Sequence, residues 1–155
     1  MPHNQIQKVR FDNRGDLLRM DVRLESDQLC TYEITSHDAD GLFQGTVMKG
    51  NNINDSVDSF NIPTNTEELD QRVIGWHFIF AAPKGDVKRT FQATIDFHQG
   101  DIGLLEQPIS LSGDLQSEKV IIGFARFVGQ SVPAECSPMG YDRLTPEPIL
   151  QKDSG

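Results

Sequence analysis

Residues 17–24 read LLRMDVRL. Leu18, Met20, Val22 and Leu24 fall on one side of an extended chain, and Arg19, Asp21 and Arg23 on the other. Successive side chains of a strand point to opposite faces, so a period of two describes a half-buried β-strand. The same period returns in CTYEIT at 30–35, in WHFIF at 76–80 and in FQATIDF at 91–97. The chain is therefore read as all-β: an antiparallel β-sandwich of about eight strands, with a β-barrel as the alternative.

Working outward, short polar stretches punctuate these strands. Asp12-Asn13-Arg14-Gly15-Asp16, His37-Asp38-Ala39-Asp40-Gly41 and Pro83-Lys84-Gly85-Asp86 carry turn residues that tolerate tight or left-handed backbone. Glu25-Ser26-Asp27-Gln28 is read as the close of a hairpin between 17–24 and 29–35. A strand is expected at 5–11, another at 42–48 interrupted by Gly45, and a short one near 57–62. Thr64 followed three residues later by Glu67 matches a capping box, which predicts a helical turn or two over 65–71. Residues 102–112 contain Gly103 and Pro108, which suits an edge strand. The runs 73–80, VIGWHFIF, and 119–128, KVIIGFARFV, are apolar on both faces and read as central strands. The expected core comprises Ile74, Trp76, Phe78, Ile95, Phe97, Ile122 and Phe124.

The chain has 155 residues, enough for one domain that buries about two-thirds of its unfolded surface. Residues 1–129 are assigned to the sandwich. Residues 130–155 hold four of the eight prolines, Pro133, Pro138, Pro146 and Pro148, and are assigned to an extended C-terminal arm or tail. Nine Phe against three Trp and Tyr together imply rings that serve the core, because phenylalanine has no polar handle.

The net charge is −9. Phosphate binding is driven by Lys and Arg, so nucleic acid is not an expected partner. The acid is concentrated: between Glu25 and Gln71 stand ten acidic residues and a single basic one, Lys49. Solvated loops explain most such clusters, and a cation site or a basic partner is the sharper reading. Cys30 occupies an apolar strand position and Cys136 lies in the proline-rich tail, with nothing in the sequence to show that they pair. The opening MPHNQIQKVRF lacks the apolar run of a signal peptide, and no segment approaches 18 apolar residues. A cytoplasmic protein with reduced thiols and no membrane span is the expectation, unless the chain is a processed fragment of a secreted one.

Chemistry-bearing motifs are sparse. There is no HExxH, CxxC, GxSxG or phosphate-binding glycine loop. Asp38 and Asp40, ahead of Gly41, resemble half of a calcium loop but lack its later ligands, so calcium is the sole cofactor considered. Asn51, Asn52, Asn54, Asp55 and Asp58 make 49–66 a polar loop suited to hydrogen-bonding a partner. Two functional classes stay open. The first is a non-catalytic, lectin-like binding or interaction module that presents this loop to a carbohydrate or a protein. The second is a small enzyme or ligand carrier with a cavity site using His98, Asp96 or His77, where the Asp96 carboxylate beside the His98 imidazole supports acid–base work. A homo-oligomer is also expected, paired through 42–48, which lacks charge and proline, or through the second apolar face of 73–80.

Overall fold

The alternation at 17–24 becomes strand β2 (Leu18–Ser26), with Leu18, Met20, Val22 and Leu24 buried and Arg23 and Glu25 exposed. A computed structural model describes residues 6–53, 57–85 and 89–130. Its other strands are β1 (Gln7–Asp12), β3 (Cys30–His37), β4 (Phe43–Asn51), β5 (Val57–Asn61), β6 (Val73–Phe80), β7 (Arg89–Gln99), β8 (Ile102–Gly103), β9 (Ile109–Leu115) and β10 (Lys119–Gln130). They form two sheets. The first has the order β1-β10-β6-β3-β4, antiparallel except where β1 runs parallel to β10. The second has the order β5-β2-β7, with β8 and β9 both pairing along the far side of β7. The fold is an all-β sandwich, as the period of two implies. The proposed arm 130–155 lies outside the described residues from position 131 onward.

The core is the space between the sheets. Ile34, Ile74, Phe78, Phe80 and Phe127 come from the first sheet, and Leu18, Met20, Val22, Ile95 and Phe97 from the second, all 2 % exposed or less. Phe97 and Phe127 meet edge-on across the interface, with ring centroids 5.7 Å apart. At one end Gln99, almost fully buried, latches the 12–16 turn. Its Nε2 donates to the carbonyls of Asp12 (2.7 Å) and Asp16 (2.9 Å), and its Oε1 accepts the N–H of Asp12. These bonds satisfy a buried amide that would otherwise cost stability.

Three expectations change. Residues 25–28 do not close a hairpin, because β2 pairs with β5 and β7 while β3 pairs with β4 and β6. The chain crosses there from one sheet to the other, so the apolar faces of β2 and β3 meet across the core instead of lying side by side. The capping box does not form: the helical turn is a short 3₁₀ segment, Thr66–Glu68, entered from Asn65 without a side-chain cap. In β10 the core face is the other one. Ala125 and Phe127 are buried, whereas Ile122 and Phe124 are 60 % and 40 % exposed. Both faces of β10 are apolar, so periodicity alone could not choose between them. Pairing with β6 chooses, by setting Gly123 opposite buried Trp76 and Ile122 opposite His77.

Four glycines each sit cross-strand from an aromatic ring that covers them: Gly123 with Trp76, Gly50 with Tyr32, Gly113 with Phe91, and Gly75 with Phe124. A Cβ on Gly123 would stand 2.4 Å from Trp76 Nε1, and one on Gly50 would stand 2.5 Å from the Tyr32 hydroxyl. The missing side chain lets each ring lie flat on the neighbouring strand. The first three pairs face the core. The fourth faces outward.

Candidate functional site

The fourth pair begins the most distinctive surface of the molecule. On the outer face of the first sheet, Phe124 (β10) lies over Gly75 (β6), where a Cβ would come within 2.9 Å of the ring and of Thr35 Oγ1. Reaching across β6, its ring meets His37 (β3) edge-on at 5.7 Å, and His37 in turn meets Phe43 (β4) at 5.9 Å. The His37 ring is held by a 2.9 Å contact between Nε2 and Thr35 Oγ1. An aromatic row thus crosses four strands. Beside it Val120 and Ile122 continue the apolar surface along β10, and Phe43 is 62 % exposed.

Next to the row is a hollow of about 450 Å³, lined by Thr31, Glu33, Lys49, Asn51, His77 and Ile79, with Tyr32 and Gly50 between them. Strand register builds it: Glu33 stands opposite both Lys49 and His77, and Thr31 opposite both Asn51 and Ile79. Glu33 accepts a 2.5 Å hydrogen bond from the Thr46 hydroxyl. The wall therefore mixes an ammonium, an imidazole, an amide and a carboxylate above an apolar strip.

The residues singled out in sequence disperse over the molecule. Asn51 and His77 meet in the hollow. Asn52 braces the β3 entry: its Oδ1 accepts the N–H of Cys30 and its Nδ2 donates to the Gln28 carbonyl. Asp58 accepts a 2.5 Å bond from the Tyr32 hydroxyl and so ties the two sheets together. Asn54 and Asp55 lie outside the described residues. With β4 reaching Asn51 and β5 starting at Val57, the long polar loop shrinks to a short connection. Asp38 spends Oδ1 on the N–H groups of Asp40 and Leu42, which holds its own turn. Among the described residues no group of three or more His, Cys, Asp and Glu side chains could hold a metal ion.

His98 and Asp96 do come together, on the outer face of the second sheet. His98 Nδ1 is 3.2 Å from Asp21 Oδ2, within ion-pair range but off the line of a hydrogen bond, and Nε2 is 3.9 Å from Asp96 Oδ2. Arg19 holds the other side of Asp21 at 3.1 Å. His77 is on the opposite outer face, with the core between, so the three residues do not share one cavity.

Among the described residues two buried groups are perturbed. Burial pushes the Cys30 thiol up to about 12, with the backbone N–H of Ile79 opposing it slightly, so the thiol stays protonated and unreactive. Tyr32 is pushed well above its usual range, first by burial and then by its bond to Asp58 and that carboxylate's charge. Cys136 lies outside the described residues.

Sequence reasoning did not bring Glu33, Lys49, His37 and Phe43 together on one surface, and it placed Phe124 in the core. The signal was present but indirect: Gly75 within an otherwise apolar strand marks the place where a neighbouring ring lies down. Comparison with protein-family models, with curated proteins and with solved structures found no match to this chain. No helix among the described residues is long and apolar enough to cross a membrane.

Proposed function

We propose that the protein is a non-catalytic interaction module and that the outer face of its five-stranded sheet is the docking surface for a protein partner. The observation that supports this most is the contiguous exposure of Val120, Ile122, Phe124 and Phe43 beside a polar hollow. A sheet face left to water normally carries polar side chains. The second sheet does so, with Arg19, Asp21, Arg23, Thr94, Asp96 and His98 on its outer face. The exposed apolar residues of the second sheet, Val57 and Ile102, stand on its two opposite edge strands, whereas a contiguous apolar stripe like that of the first sheet marks a place where another surface is meant to sit. Aliphatic Val and Ile next to Phe suit a protein better than a sugar, whose ring is usually met by Trp or Tyr with a polar tip. On this reading the partner sits on the sheet and not on the 49–66 loop, and the protein works in the cytoplasm.

The test is site-specific photo-crosslinking in cells that make the protein, with a photoreactive phenylalanine at position 122 or at position 94. A protein adduct from 122 and none from 94 is the expected result. Equal labelling from both positions, or none from either, refutes the docking face. Binding to a glycan array that Phe124→Ser abolishes would replace the protein partner with a carbohydrate.

A further inference from the structure

The charges on this face are at odds with those of the whole chain. In a chain of net charge −9, the outward positions of the first sheet carry Lys8 and Arg10 on β1, Arg126 on β10 and Lys49 on β4. Their orientation follows from the alternation: Val9, Phe11, Ala125 and Phe127 are buried, so Lys8, Arg10 and Arg126 face outward. The acids on these outward strand positions are Glu33, already bonded to Thr46, and Asp12 at the end of β1, whose Oδ1 accepts the N–H of Arg14. On the second sheet and its rim the basic residues are spent on ion pairs, Arg19 with Asp21, Arg23 with Glu25 and Arg89 with Asp27. Among the described residues Lys8, Arg10 and Lys49 take part in no such pair. Arg126 gives one nitrogen to the carbonyls of Ala39 and Gln71.

An apolar stripe flanked by unspent cations selects its occupant. Resting on the docking face argued above, we infer that the partner presents an acidic segment with interspersed apolar side chains. Its apolar groups cover Ile122, Phe124 and Phe43, and one of its carboxylates enters the hollow beside Lys49 and His77. The opposite signs steer the encounter, and the apolar contacts hold the complex. A second copy of this chain fits poorly: face-to-face pairing would bring two basic surfaces together.

The experiment is selection of a random twelve-residue peptide library on the immobilised full-length chain, followed by fluorescence anisotropy with one synthesised peptide from the enriched set. Enriched peptides should carry net negative charge and at least two apolar residues. The chosen peptide should bind about tenfold or more weakly to Phe124→Ser and to Lys49→Glu, and equally well to Arg23→Glu on the other sheet. Its affinity should fall as salt is raised from low to physiological levels. Circular dichroism and the melting temperature of each variant show that the fold is intact, and Ile122→Ser replaces Phe124→Ser if that variant does not fold. Enrichment of neutral or basic peptides that still need Phe124 overturns this inference and leaves the docking face standing. Binding indifferent to both Phe124→Ser and Ile122→Ser overturns both. A homodimer in light scattering that Ile122→Lys dissociates, or displacement of the peptide by a synthetic 131–155 peptide, assigns the face to this chain itself and overturns the acidic partner.

Discussion

Adding one methyl group at Gly123 should destabilise the protein although alanine is the better strand residue. Gly123 and Trp76 are cross-strand partners in the central pair of the first sheet. A Cβ there would stand 2.4 Å from Trp76 Nε1, 2.5 Å from Cε2 and 2.6 Å from Cζ2. Trp76 is 5 % exposed and sits among packed neighbours, so the indole cannot swing away freely. Overpacking a core of this kind costs about 1–3 kcal/mol. Removing a glycine from a strand returns about 0.5–1 kcal/mol of backbone entropy. The difference leaves Gly123→Ala about 0–2.5 kcal/mol less stable, centred on about 1 kcal/mol, a loss of a few degrees in Tm for a domain of this size. Gly113→Ala is the internal control. Its Cβ would meet Phe91 at 3.2 Å, a gap that a small ring shift relieves, so it should be neutral or slightly stabilising. Urea denaturation followed by tryptophan fluorescence and circular dichroism reads both variants. The Gly123→Ala, Trp76→Leu double variant should be less destabilised than the sum of the singles, because the clash is then gone. If Gly123→Ala matches the wild type, or Gly113→Ala costs as much as Gly123→Ala, the reasoning from ring-covered glycines fails.

Two further outcomes follow from burial. Phe97→Ala should cost about 3–5 kcal/mol, since Phe97 is fully buried at the sheet interface, whereas Ile122→Ser should stay within about 0.5 kcal/mol; equal losses in urea denaturation would mean that the β10 register is wrong. Stability should also fall in alkali. The Cys30 thiol ionises in the unfolded chain above its ordinary 9.0 but not in the fold until about 12, so its contribution is complete below pH 9 and is lost as pH rises toward 12. Tyr32 acts with the same sign above its ordinary value of about 10. Cys30→Ala and Tyr32→Phe should each flatten the fall in thermal melts across this range, and a wild-type Tm that does not change from pH 8 to pH 11 would contradict the assignment.

The edge strand β4 bears on assembly in a way its composition hides. Lacking proline, the segment 42–48 reads as a free edge, and it does form the outer strand of its sheet. Its pairing with β3 is broken by two register shifts, after Ile34 and after Ser36, and Gly45 adopts φ 153°. Such bulges twist an edge away from a second chain. Val47 and Met48 pack against the subunit's own core, so Val47→Lys probes folding and not an interface.

What the sequence determined by itself was local and periodic. Alternation in β2, β3 and β7 identified strands, the buried faces of those strands and a sandwich class, because side-chain direction in a strand follows from the backbone alone. Gly103 and Pro108 likewise marked the edge that appears as the broken pair β8 and β9. Tertiary structure decided what periodicity leaves degenerate. Where both faces are apolar, as in β10, burial is set by which strand pairs alongside, and that is a long-range property. The crossing at 25–28 is of the same kind, since a hairpin and a sheet-to-sheet connection share their turn chemistry. So is the candidate site. Glu33, Lys49, Asn51 and His77 come from three strands and meet by register alone, and the row of Phe124, His37 and Phe43 exists because Gly75 leaves room for a ring to cross.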